Sequence, residues 1–293
     1  MSVLHPIIAV TGSSGAGTTT VSRTFDWIFQ REKIRAAYVE GDAFHRYDRA
    51  AMRQVIAQAE QQGIRAPSHF GPEANLFVEL EALFCEYAAR GSGQSRHYLH
   101  DDATAALHGR PSGTFTDWKP LPSDTDLLFY EGLHGGVISS EVDLTRHVDL
   151  LIGVVPTINL EWIQKTIRDT QERGYSQQAV TEIILHRMDD YVHYMVPQFS
   201  RTHINFQRVP VVDTANPFSA HGIPTDDETL VVIHFREPHQ VDFPYLLATL
   251  PGAWMSRINT LVVPGAYRDM AFQVILTPLI TGLVERRRQA LQA

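Results

Sequence analysis

The residues Gly12-Ser13-Ser14-Gly15-Ala16-Gly17-Thr18-Thr19 follow the apolar run Ile7 to Val10 and precede an amphipathic stretch. This is the strand, GxxxxG, helix order of a phosphate-binding loop. Glycines at these spacings let backbone N–H groups turn toward an anion, and the start of the next helix adds partial positive charge. The hydroxyl of Thr19 falls where such loops ligate magnesium. Thr18 stands where the general motif has lysine, so a cation from elsewhere has to meet the β- and γ-phosphates of a nucleotide. The alternative is a glycine-rich turn that binds nothing.

Two carboxylates end apolar runs. Asp42 lies in Glu40-Gly41-Asp42-Ala43-Phe44-His45, directly after Ala36 to Glu40. At the carboxyl end of a parallel strand, where open α/β sheets bind ligands, it can accept the proton of a substrate hydroxyl during phosphoryl transfer, or it can cap a loop. Glu131 closes Leu127-Leu128-Phe129-Tyr130; a single acid there suits the magnesium shell of a nucleotide site, and buried strands also end in acidic caps. The lysines are Lys33, Lys119 and Lys165, so the search for a replacement cation is short. Lys165, Arg168 and Asp169 fall within one helical turn, with Arg173 just beyond. They form either a lid over phosphates, Lys165 replacing the lysine absent at position 18, or a solvated charged face. The 14 histidines include no HExxH and no cysteine partner. His97 and His100, three apart, are read as polar surface or substrate contacts rather than metal ligands.

These groups require elements that present them from one edge of a sheet. Short apolar runs alternate with amphipathic stretches, which predicts an α/β fold with a mostly parallel sheet. Strands are expected at Ile7 to Val10, Ala36 to Glu40, Leu127 to Tyr130, Leu150 to Val155, Val209 to Val212, Leu230 to Phe235 and Leu261 to Val263. Helices are expected at Thr18 to Gln30, Ala74 to Ala89, Leu160 to Gln171, Gln177 to Val196 and Met270 to Arg288. The last ends in Arg286-Arg287-Arg288, either a solvated helix end or part of an oligomer interface. Gly91 to Asp124 is long for a connector and is expected to be a functional loop. No composition break resembles a linker, so residues 1–293 are expected to form one domain with long loops where the parallel strands end.

At 44% hydrophobic residues the chain can bury a substantial core, and Cys85 is its single cysteine, so no internal disulfide forms. This fits a reducing cytoplasm. The opening residues lack a positive n-region and no apolar run approaches the ~20 residues of a membrane span, so a soluble protein without membrane partners is expected. A net charge of -8 argues against a nucleic-acid partner. A small anionic substrate would need local arginines.

With the phosphate loop, Glu40 to Arg46 and Lys165 to Tyr175 in view, the sequence resembles the bacterial phosphoribulokinases, members of the phosphoribulokinase/uridine kinase group. The resemblance extends through Ser68-His69-Phe70, Tyr98-Leu99-His100-Asp101-Asp102, Phe115-Thr116-Asp117-Trp118, Gln198-Phe199-Ser200, Val211-Val212-Asp213-Thr214 with Asn216-Pro217-Phe218, and Trp254-Met255-Ser256-Arg257. It implies the fold of P-loop NTP hydrolases and nucleoside-monophosphate kinases, a mostly parallel mixed sheet flanked by helices, and it makes Thr18 a habit of the family. The implied reaction moves the γ-phosphoryl of ATP, with Mg2+, to the C1 hydroxyl of D-ribulose 5-phosphate, in the Calvin cycle. By resemblance Asp42 is the base, and His45, Arg49 and Arg173 contact the sugar phosphate. Tyr98 and His100 touch substrate or hydrogen-bond within the long loop. Lys165 and Arg168 are lid cations, Glu131 and Asp169 lie near Mg-ATP, and Ser14, Thr18 and Thr19 lie on the phosphate loop.

Bacterial members are homo-oligomers, commonly octamers, activated by NADH and inhibited by AMP. Arg31 and Arg257 match positions of that effector region, whereas His186, His221 and His234 stand where arginines are expected, so a weaker or different effector response is anticipated. Uridine and pantothenate kinases are rivals that normally keep the loop lysine. A nucleotide-sensing regulator without chemistry is disfavoured by Asp42, Lys165, Glu131 and Asp169 occurring together.

Overall fold

Six consecutive buried residues, Ile7–Gly12, form the first strand, β1; burial of every residue is what a parallel strand covered on both faces requires. The computed structural model describes residues 2–12, 18–171, 174–220 and 222–292. The further strands are β2 (Ala36–Glu40), β3 (Gln94–Ser95), β4 (Lys119–Pro120), β5 (Leu127–Gly132), β6 (Leu150–Pro156), β7 (Ile204–Pro210), β8 (Thr229–Phe235), β9 (Trp254–Arg257) and β10 (Thr260–Pro264). The helices are α1 (Thr18–Arg31), α2 (Arg49–Gln62), α3 (Phe77–Arg90), α4 (Asp102–Leu107), α5 (Ile158–Gln171), α6 (Gln177–Asp190), α7 (Val196–Phe199), α8 (Phe243–Thr249) and α9 (Arg268–Gln292).

Eight strands make one sheet in the order β2-β5-β1-β6-β7-β8-β10-β9. Pairings from β2 to β7 are parallel, and those from β7 to β9 are antiparallel. Alternate residues of each strand serve opposite faces. Ile8 and Val10 join Val21, Phe25 and Ile28 of α1 and Phe272 and Ile275 of α9 in one core cluster. Ile7 and Ala9 join Phe77, Leu80, Phe84 and Tyr87 of α3 in the other. Burying each large apolar side chain contributes about 1.5–3 kcal/mol, so the sheet is clamped from both sides and its strand ends are held still. This mixed sheet with helices on both faces is the P-loop kinase fold.

The departures from expectation have local causes. β7 lies at Ile204–Pro210 rather than Val209 to Val212, because Ile204 and Phe206 face the core while Asn205, Gln207 and Arg208 are polar; the more apolar-looking run begins as the strand ends. The helix expected over 177–196 is interrupted. α6 ends at Asp190, a π-helical turn spans Tyr191–Met195, and Pro197 opens α7; proline has no N–H to continue an α-helical ladder. Helix α2 was not anticipated, since only Met52 and Ala59 are buried along it. The long connector over residues 91–124 carries short antiparallel pairing: β3 pairs with β4, Tyr98 bridges Phe115, and α4 sits near the tip. Among the described residues no helix is long and apolar enough to cross a membrane.

Candidate active site

Strands β2 and β5 run in register with Glu40 opposite Glu131, and each glutamate is followed by glycine. A Cβ at Gly132 would lie 2.6 Å from Gly41 Cα, and one at Gly41 would lie 2.7 Å from Gly132 Cα and from the Tyr130 hydroxyl oxygen. No side chain fits at either position, so the two strand ends approach backbone to backbone. Past Gly41 the chain makes one 3-10 turn, Gly41–Phe44, which lifts Asp42 beside the end of β5.

Each oxygen of Asp42 faces a histidine. His45 Nε2 lies 3.1 Å from Oδ1 and His100 Nε2 lies 3.3 Å from Oδ2. Burial alone would raise the Asp42 carboxyl, but the His45 hydrogen bond and the charges of His45 and His100 bring it from 3.8 down to about 2, so it is ionised at neutral pH. The other ring nitrogen of His45, Nδ1, is 2.9 Å from Asn75 Oδ1. The Asn75 amide is oriented by its own donors: Nδ2 donates to His69 O at 3.0 Å and Gly71 O at 2.6 Å. Asn75 Oδ1 is therefore an acceptor, and His45, lying between two acceptors, carries protons on both nitrogens. Burial opposes that charge, and the Asp42 and Asn75 contacts outweigh it to raise the ring. His69 lies 4.4 Å from His45, ring centre to centre. Burial and the charges of His45 and Arg187 push it down to about 3, and burial does the same to His134. Both are neutral neighbours of the charged pair.

Tyr98 packs edge-on to His100 at 4.8 Å and to His45 at 6.5 Å. Arg49 opens α2 behind the Asp48 cap, and its Nη2 donates to His100 O at 2.8 Å. The structure thus brings Asp42, His45, Tyr98, His100 and Arg49 together.

Glu131 accepts a hydrogen bond from Ser22 of α1. Its carboxyl is pushed up by burial and by the neighbouring charges of Glu40, Asp42 and Asp26, against the Ser22 bond. On α5, Asp169 is buried with both oxygens engaged: Lys165 Nζ at 2.5 Å and Arg168 Nε at 3.0 Å. Burial would raise Asp169, and the two cations lower it. Burial and the charge of Arg187 lower the Lys165 ammonium, against the opposing pull of Asp169. The charge of Arg187, on α6, acts on Lys165 of α5 and on His45 and His69 alike.

Ser13 to Gly17, Arg173 and His221 lie outside the described residues, as do the side chains of Thr18 and Thr19. Arg31, at the exposed end of α1, pairs with Glu32 and covers Trp27. Arg257 on β9 and His234 on β8 both flank Thr260 of β10, at the sheet edge opposite β2. His186 is elsewhere, on α6, its Nε2 3.0 Å from Ala66 O. The sequence reading missed Asn75, Arg187 and Ser22. The first two act through partners far away in the chain, and Ser22 is one of several hydroxyls in its segment.

The family model described as "Phosphoribulokinase / Uridine kinase family" matches residues 7–215. The chain belongs to that family. Within the phosphoribulokinase/uridine kinase family it is a kinase of the bacterial phosphoribulokinase type. It is 59% identical over 286 residues to the phosphoribulokinase of Nitrobacter vulgaris, covering 98% of this chain and 99% of the relative. It is 58% identical over 292 residues to the chromosomal phosphoribulokinase of Cupriavidus necator, covering 100% of both. The solved phosphoribulokinase from Rhodobacter spheroides superposes with a TM-score of 0.91 at 54% identity, covering 98% of this chain and 100% of that one.

Proposed function

We propose that the protein transfers the γ-phosphoryl group of ATP to the C1 hydroxyl of D-ribulose 5-phosphate, giving ribulose 1,5-bisphosphate, with Asp42 as general base. The substrate is supported by the end-to-end likeness to phosphoribulokinases. The base is supported by one observation above all: an ionised carboxylate at a strand end, beside Glu131, with a histidine on each oxygen. Phosphoryl transfer needs little covalent help from the protein, so positioning and charge dominate. Asp42 takes the hydrogen bond of the sugar hydroxyl first and its proton late, as the new O–P bond forms.

His45, Arg49, Tyr98, His100 and Arg173 hold the sugar phosphate in this reading. Gly12 to Thr19 cradle ATP, and Lys165 and Arg168 meet the transferring phosphoryl group. Mg2+ takes most of its ligands from phosphates and water and needs only one or two protein carboxylates. Glu131, crowded by other acids, fits that need; in this reading Thr19 and Asp169 would complete the protein's share of the ligands, Asp169 exchanging one of its cation contacts. Held by these residues, Mg2+ would supply positive charge to the phosphates of ATP. The same reading makes residues 1–293 one kinase domain acting in the cytoplasm in the Calvin cycle, as a homo-oligomer, an octamer in its family's manner, with NADH acting through Arg31 and Arg257.

ADP release with Mg-ATP, measured in parallel on ribulose 5-phosphate, uridine and pantothenate, tests the substrate. Turnover on the pentose phosphate alone is expected. Turnover on uridine or pantothenate instead, or on none of the three, overturns the proposal.

A further inference from the structure

We propose that Arg96 is a positioning residue that locks the Gly41–His45 turn to the ribbon carrying Tyr98 and His100, and so sets the geometry of the sugar-phosphate side of the site. The inference rests on reading Asp42 and His45 as that side.

A short turn leaves carbonyls without partners in the turn itself, and here the four from Asp42 to His45 are accounted for. Asp42 O accepts from His45 N at 3.2 Å and Phe44 O from Leu76 N at 2.8 Å. The remaining two, Ala43 O and His45 O, accept from a single guanidinium: Arg96 Nε at 2.8 Å and Nη2 at 2.7 Å. One planar fork therefore holds carbonyls on both sides of the residue that precedes His45. The guanidinium carbon lies 3.6 Å from the centre of the Phe115 ring and 4.8 Å from that of Trp118. Trp118 meets Phe44 edge-on at 5.4 Å, and Phe115 meets Tyr98 at 5.3 Å.

Arg96 is thus the centre of a continuous contact path from the turn to the ribbon. At the end of that path His100 closes on Asp42 at 3.3 Å. Within the ribbon, Thr116 N donates to His97 O and Leu99 N to Thr114 O, so a shift at Arg96 is carried along to His100. Lysine keeps the stem and the charge but not the fork, and it cannot bond both carbonyls while stacked on the rings.

The test compares Arg96→Lys and Arg96→Ala with wild type by steady-state kinetics, by calorimetric binding of ribulose 5-phosphate without ATP, and by thermal melting. In Arg96→Lys the KM and the Kd for the sugar phosphate are expected to rise together, kcat/KM for it falling about 10- to 100-fold, as displacements near 1 Å cause. KM for ATP stays within about twofold, since the clamp touches no nucleotide group. Should Arg96→Ala fail to fold, Arg96→Lys carries the comparison. A folded Arg96→Lys with unchanged sugar-phosphate KM and Kd, or with the KM for ATP raised equally, overturns the proposal. Asp42→Asn separates the two ideas: normal turnover in that variant removes the base while the calorimetry still judges Arg96.

Discussion

Replacing Asn75 with alanine removes the acceptor on the far side of the His45 ring and leaves Asp42 in place. His45 is raised above its ordinary 6.5, so the stability from its charged form is complete below that pH and is lost as pH rises through its folded value. The Asn75 contact is one buried hydrogen bond of 2.9 Å, worth about 0.5–1.5 kcal/mol. At about 1.4 kcal/mol per pH unit, its loss brings deprotonation of His45 down by roughly half to one unit. The charges facing the ring are Asp42 on its own turn, His69 and His134 from neighbouring loops, and Arg187 from α6. Of these, Asp42 holds its charge down to about 2 and the two histidines are neutral above about 3, so none of them titrates in the window. The assay is kcat/KM for ribulose 5-phosphate from pH 6 to 9, with His45 followed by imidazole NMR. Freed carbonyls at His69 and Gly71 cost the variant about 2 kcal/mol of stability, so measurement belongs well below its melting temperature. A folded Asn75→Ala whose basic limb and His45 titration match wild type within about 0.2 units would refute the two-acceptor argument.

Gly132→Ala forces a Cβ to 2.6 Å from Gly41 Cα; a loss of about 1–3 kcal/mol in stability and a fall in kcat are expected from melting curves and ADP release. Arg287 ties α9 to the other end of the sheet through Leu4 O, Thr125 O and Asp126 at 2.9–3.1 Å. Arg287→Ala should cost about 3 kcal/mol, seen as a lower melting temperature, while kcat of the folded enzyme is unchanged. In an NADH titration, the histidines at 186, 221 and 234 predict weak activation, and strong activation would contradict that expectation.

Much of the scaffold was legible because the strands read as short apolar runs, continuous in β1, β5 and β6, which are buried on both faces. β2 was placed with its observed ends, and β1, β5, β6, β8 and β10 were found with ends one or two residues short. Two elements were harder: β7 carries polar Asn205, Gln207 and Arg208 among its apolar residues, and α2 buries only Met52 and Ala59. The ribbon over 91–124 is held by backbone pairing and by Arg96 between aromatic rings, a tertiary device that leaves no periodicity. Asp42 and Glu131 were readable from where their strands stop. Asn75 was not, because its contact with His45 spans 30 residues and its role depends on which way its amide points. The Glu-Gly pairs at 40–41 and 131–132 were visible signals; only the strand register shows that they oppose one another.

The central claim is that Asp42 accepts the proton of the sugar hydroxyl. Asp42→Asn keeps the size of the side chain and a hydrogen-bonding group toward His45 and His100 but cannot take that proton. With Mg-ATP and ribulose 5-phosphate, its kcat for ADP release should fall about 10²–10⁴-fold, with KM for ATP near wild type. A kcat within a few-fold of wild type would contradict the assignment of Asp42 as the base.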